Sequence, residues 1–175
     1  KRQGRRIGCG GGGAKLGIAL VIAVITLVSY FGSSQMNEVT GEKQYVKLDK
    51  QEEIALGLQA APEMASSFGG LSHDAQGQTL VDRVGNTIVQ KSDAGKSQYP
   101  FEFHLLADKD VVNAFALPGG QIFITEALFS KFTSEAQVAG VLGHEIAHVV
   151  GRHGAEHLAK QQLTQGLTGA AVIAS

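Results

Sequence analysis

Residues 135–154 read EAQVAGVLGHEIAHVVGRHG, and the middle of that stretch decides how the chain is understood. Val138, Val141, Leu142, Ile146, Val149 and Val150 recur at helical spacing, so the segment is expected to be a helix with a buried face. Within it stand His144, Glu145 and His148. On a helix, positions four apart lie about 40° from each other around the axis and about 6 Å along it, so both imidazoles can converge on one ion. Histidine nitrogens bind zinc at about 2.0–2.1 Å, and a polar His-Glu-His group in apolar surroundings is costly unless it has a partner. Glu145, about 100° from His144, stands beside such an ion rather than bonded to it, where it can take a proton from an activated water. Two histidines held by hydrogen bonds inside a core are the plain alternative.

Working outward, His153 and His157 are also four apart. If the helix runs on unbroken, His153 lies about 180° from His144 and His157 about 220°, so neither joins the pair. Gly151 and Gly154 are the places where a bend could change that. His73 and His104 read as ordinary histidines, one near a helix start and one on the polar face of a strand. Upstream, Ser134 with Gln137 reads as a capping box for the motif helix. Asn113–Leu117, Pro118-Gly119-Gly120 and Gln121–Thr125 read as a hairpin, because Pro-Gly suits the central positions of a type II turn. Phe101–Ala107 reads as a strand with Phe101, Phe103 and Leu105 on one face. Two helices precede it. One starts at Asp49 with Glu52 and Glu53 in its first turn and stops at Gly69-Gly70; the other runs from Asp74 to Ser92. Helices segregated from a small sheet make an α+β fold, mainly helical, with the hairpin beside the motif helix.

The N-terminal part differs in kind. Residues 1–15 carry five cations (Lys1, Arg2, Arg5, Arg6, Lys15) and no acid, whereas the other 160 residues hold 10 Lys and Arg against 16 Asp and Glu. A body with that acidic excess lacks the basic face that nucleic-acid binding needs. Leu16–Phe31, LGIALVIAVITLVSYF, has no charge. As a helix it spans roughly 24 Å of a hydrocarbon layer about 30 Å thick, with Lys15 and Tyr30 placed to reach its two interfaces. It is expected to be a single-pass anchor; a cleaved signal peptide and a buried soluble helix are the alternatives. The positive-inside rule puts 1–15 in the cytoplasm and the body on the other side. Residues 8–13, GCGGGG, match G-x-G-x-x-G by composition only and read as a flexible linker. Cys9 is the lone cysteine, which excludes an internal disulfide. The expected division is a basic head (1–15), an anchor or signal segment (16–32), a polar tether (33–48) and a catalytic body (49–175).

Two stretches together, VNAFALPGGQIFITEAL (112–128) and EAQVAGVLGHEIAHVVGRHG (135–154), resemble the zinc metallopeptidases of the HtpX and CAAX-prenyl-protease type, which are gluzincins. The likeness covers roughly 49–175, with both motifs in the family's order and spacing. It implies a zincin-like, membrane-associated endopeptidase in which His144 and His148 bind one Zn2+ and Glu145 is catalytic. It also implies that an edge strand, Asn113-Ala114-Phe115-Ala116, holds substrate by strand addition. Its substrates would be unfolded or membrane-associated proteins, its other partner the lipid bilayer, and its work envelope quality control or processing. The family's third zinc ligand is a glutamate on a later helix. Glu156 is the one acid after the motif, about 12 Å along the helix from His148 and out of reach. The expectation is therefore a third ligand beyond Ser175, in a chain of which this is an incomplete part, with GLTGAAVIAS as the start of another apolar segment. A non-catalytic, chaperone-like relative of the same fold is the alternative.

Overall fold

The computed structural model of the protein describes residues 11–175, so Cys9, the cations before Gly11 and the first glycines of the cluster lie outside the described residues. The fold is α+β, as expected. Helix α1 (Gly11–Gly32) takes in the rest of the glycine cluster and the whole apolar run.

Two short strands follow, β1 (Ser34–Met36) and β2 (Lys43–Tyr45), paired antiparallel. This is the first difference from the sequence reading, in which polar composition made 33–48 a tether. The polar side chains are there to be buried. Asn37 and Gln44 are 4% and 3% exposed, and they are bonded to each other and to backbone more than a hundred residues away.

Helix α2 (Lys50–Ser67) opens on a capping box: the Asp49 side chain accepts from the Glu52 amide, and Glu52 accepts from the Asp49 amide, both at 2.8 Å. It closes where Gly69 and Gly70 adopt φ of 80° and 83°, a region that residues with a Cβ avoid. Helix α3 (Ala75–Lys91) is capped by Asp74, which accepts from Gln76 and Gly77. Strands β3 (Glu102–Leu106), β4 (Ala114–Ala116) and β5 (Gln121–Thr125) form one sheet in the order β3-β5-β4. The β4–β5 hairpin has the type II geometry that Pro-Gly demands, with Gly119 at φ 82°, ψ 0°. A Cβ there would also collide with the backbone of α2 at Ile54. β3 runs parallel to β5, a pairing no local signal announces.

Every residue of β5 is buried. Ile122 and Ile124 point to one face, where α3 and α5 (Glu135–Val150) supply Val81, Val84, Val138, Leu142, Ile146 and Val149 to a common core. Leu142 is 0% exposed, so truncation to Ala would cost about 2–5 kcal/mol. On the other face Phe123 stacks between Phe115 and His104, with centroids at 4.9 and 4.7 Å. His104 also bonds Gln121 at 2.8 Å, a structural role. A short helix α4 (Glu126–Phe129) leads to α5. Ser134 occupies the N-cap of α5, but its side chain makes no capping bond; Gln137 instead accepts from Thr133 at 2.7 Å, so the expected capping box is absent. Helix α6 (His153–Ala174) leaves the end of α5 and packs along α1.

Candidate active site

With one face of α5 committed to the core, the motif histidines fall on its exposed side. His144 Nε2 and His148 Nε2 come within 3.1 Å of each other, their rings edge-on with centroids 4.6 Å apart. Two nitrogens bound to one zinc at about 2.05 Å and a roughly tetrahedral angle would stand about 3.3 Å apart, so this pair fits a shared ion.

Glu145 follows His144 among the buried residues of α5. It is 8% exposed, yet its carboxylate takes part in no hydrogen bond among the described residues. Among the described residues no fully enclosed side-chain oxygen lacks a partner, so the unpaired Glu145 oxygens keep some contact with water. A largely buried carboxylate whose oxygens still meet water can accept a proton from that water.

Helix α5 stops at Val150, and the reason lies in the tertiary structure. Arg152 adopts the left-handed conformation, φ 55°, ψ 29°, while the glycine before it stays right-handed at φ −69°. The left-handed residue at the break is therefore an arginine, not Gly151 or Gly154, where the sequence allowed for a bend. Its guanidinium holds Glu53 through two nitrogens and donates to the Leu48 carbonyl at 2.7 Å. The Glu53 side chain is 1% exposed and also accepts from the Tyr99 hydroxyl at 2.9 Å. Burial, then the neighbouring Glu53 carboxylate, pushes the Tyr99 phenol far above its ordinary range. Glu53, read from sequence as a helix-dipole acid, is thus a buried ion-pair partner. The last carbonyls of α5 find donors in the β1–β2 hairpin: Asn37 donates to Val150 at 2.8 Å and Gln44 to Gly151.

The break overturns the expectation that His153 faces away. His153 Nδ1 lies 2.7 Å from His148 Nδ1, with its ring over Gly151, where a Cβ would meet it at 2.6 Å. It meets the nitrogen of His148 opposite to the one shared with His144, so it flanks the pair without joining it. If His148 Nε2 offers its lone pair to an ion, Nδ1 carries the proton, and His153 can accept it. His157 bonds Gln161 and Glu156 pairs with Lys160, both along α6 and away from the pair. Among the described residues no third His, Cys, Asp or Glu completes a metal-binding group with His144 and His148.

Of the expected substrate strand, Ala114–Ala116 form β4 and Asn113 precedes it, its carbonyl accepting from the Thr125 amide at 3.0 Å. β4 pairs with β5 on one side only and packs on α5. Its end is beside the motif: Ala116, Leu117 and Pro118 share a small crevice with His148 and Arg152. Sequence reasoning missed Asn37, Gln44, Tyr99 and Arg152 as parts of this region. Their partners are 46 to 113 residues distant, so no short pattern carries them.

The chain is similar to known proteins over most of its length. The beta-barrel assembly-enhancing protease of Yersinia pestis is 34% identical over 128 residues, 73% of this chain and 26% of that protein. The mitochondrial metalloendopeptidase OMA1 of Schizosaccharomyces pombe is 31% identical over 134 residues, 75% of this chain and 39% of its own. The chain thus spans well under half the length of these relatives. The family model described as peptidase family M48 matches residues 75–175, more than half of the chain, with the histidine pair inside the match. The chain belongs to peptidase family M48.

Proposed function

We propose that the full-length protein is a membrane-anchored zinc metalloendopeptidase, with His144 and His148 as two zinc ligands and Glu145 as the general base. The observation that carries this is the 3.1 Å approach of the two Nε2 atoms, with a buried, unpaired carboxylate on the residue next to His144 in the same helix. A third ligand, a glutamate by the family resemblance, comes from outside the described residues. Zinc held there supplies Lewis-acid polarisation of the scissile carbonyl and acidifies water. Glu145 takes the proton from the attacking water and passes it to the departing amine as the C–N bond breaks and the C–O bond forms. The free edge of β4 pairs with substrate backbone, which gives affinity with little sequence preference. His153 holds His148 in the tautomer that leaves Nε2 free.

Helix α1 anchors the enzyme: Gly13–Gly32 is long and apolar enough to cross a membrane, and the cations before it favour a body outside the cytoplasm. The relatives' names, a beta-barrel assembly-enhancing protease among them, support work in envelope protein quality control.

The test is Glu145→Gln in full-length protein. Zinc content should hold while hydrolysis of an unfolded substrate falls by about 100-fold or more. Undiminished hydrolysis in a protease-free preparation rejects the assignment. Zinc-free protein that still binds unfolded chains would favour the chaperone-like alternative.

A further inference from the structure

After Lys160 the chain runs QQLTQGLTGAAVIAS (161–175) without a charge. As the outer half of α6 it exposes Leu167, Val172 and Ile173, at 37%, 68% and 37%, while Ala170 is buried. What buries this side is α1. A Cβ on Gly166 would lie 2.6 Å from the Thr26 side chain, and Ala19 and Ala170 are 5% and 4% exposed. Small residues let two helices approach this closely.

The helices run in opposite directions. α1 ends at the β1–β2 hairpin, where the Ser33 carbonyl accepts from Val46, and that hairpin sits on the carbonyls of Val150 and Gly151 from which α6 departs. With Thr26 opposite Gly166, equal rise sets Lys160 level with Gly32 and Ser175 level with Gly17. The uncharged part of α6 therefore lies alongside the uncharged run of α1, and the last charge of α6 falls where that run ends. The hydroxyls in this part are satisfied within the helix: Thr164 donates to the Lys160 carbonyl at 3.0 Å and Thr168 to that of Thr164 at 2.8 Å. That is how threonine is carried in lipid. Gln161 and Gln162 fall level with Phe31 and Tyr30, at the interface, and Gln165 is within one or two turns of it, in reach by snorkelling.

Building on the membrane span proposed for α1, we infer that the outer half of α6, from about Gln161, is embedded in the same bilayer. The lipid chains cover Leu167, Val172 and Ile173. His153 lies seven residues before Lys160, about 10 Å of helix, so the histidine pair is held about that far from the membrane surface. Its substrates then present their scissile bonds in chain just outside the bilayer.

The test uses the full-length protein with Cys9→Ser and single cysteines at Lys43, Val24, Lys160, Leu167 or Val172, in unsealed membrane fragments whose two aqueous faces are both reached. A thiol in hydrocarbon does not ionise and reacts poorly, so Val24→Cys, Leu167→Cys and Val172→Cys should react with a water-soluble maleimide about tenfold or more slowly than Lys43→Cys and Lys160→Cys. Detergent should abolish the difference. An environment-sensitive dye at Val172→Cys should be quenched by nitroxide-labelled lipid. Protected Val24→Cys with freely reacting Leu167→Cys and Val172→Cys overturns the inference and leaves the anchor standing. Protection without lipid quenching overturns it too, since protein is then the cover. A freely reacting Val24→Cys overturns the anchor, and the embedding of α6 with it.

Discussion

The break between α5 and α6 rests on a residue that dislikes its conformation. Arg152 sits at φ 55°, which costs a residue with a Cβ about 1 kcal/mol or more relative to glycine. Its compensation is the ion pair with Glu53, whose side chains are 13% and 1% exposed, with further bonds to Leu48 and Tyr99. Removing one partner of such a pair strands the other charge and costs about 3–5 kcal/mol. Arg152→Ala keeps the backbone strain and loses the pair, so it should lower the thermal midpoint of the solubilised protein by about 6–20 °C. Arg152→Gly loses the same pair but relieves the strain, and should recover about 1 kcal/mol, or about 2–4 °C. Adding Glu53→Gln to Arg152→Gly should cost much less than Glu53→Gln does in the parent, because no buried cation is left behind. Thermal unfolding followed by circular dichroism gives the order parent, Gly, Ala. An Arg152→Ala midpoint within about 2 °C of the parent, or Gly less stable than Ala, would refute the account of the break.

Two further outcomes follow from the same region. His153→Ala should weaken zinc binding about 10–100-fold in chelator competition, with His153→Gln restoring part of the loss; unchanged affinity would mean that His148 needs no partner at Nδ1. Tyr99 has a folded-state pKa raised above its ordinary value of 10.0, so its contribution is whole below pH 10 and is lost as pH rises toward the folded value. Urea midpoints should therefore fall above about pH 10, and less steeply in Tyr99→Phe; parallel curves would show that Tyr99 does not set the alkaline limit.

Local chemistry was legible in the sequence. The His144–Glu145–His148 spacing, the helix start at Asp49, the stops at Gly69-Gly70 and the Pro118-Gly119 turn each depend on neighbours within about one helical turn, so the residues and their partners appear together in the chain. The apolar run of α1 is legible for the same reason: hydrophobicity is a property of the segment alone. The Ser134 box failed because Thr133 competed for Gln137, a choice between partners of nearly equal reach.

Only the folded chain decided the rest. Nothing near Glu53 says that it will be buried against an arginine 99 residues on, or near Asn37 that it will cap a helix 113 residues away. A polar residue looks the same in sequence whether water or a distant carbonyl satisfies it. Helix periodicity carried forward from His144 placed His153 on the far side, and it was right until the helix broke. The break was set not by the glycines but by an ion pair strong enough to hold Arg152 where an arginine does not sit by itself. Periodicity reports the geometry of a continuous helix, and where a helix stops is decided by what its end can bind.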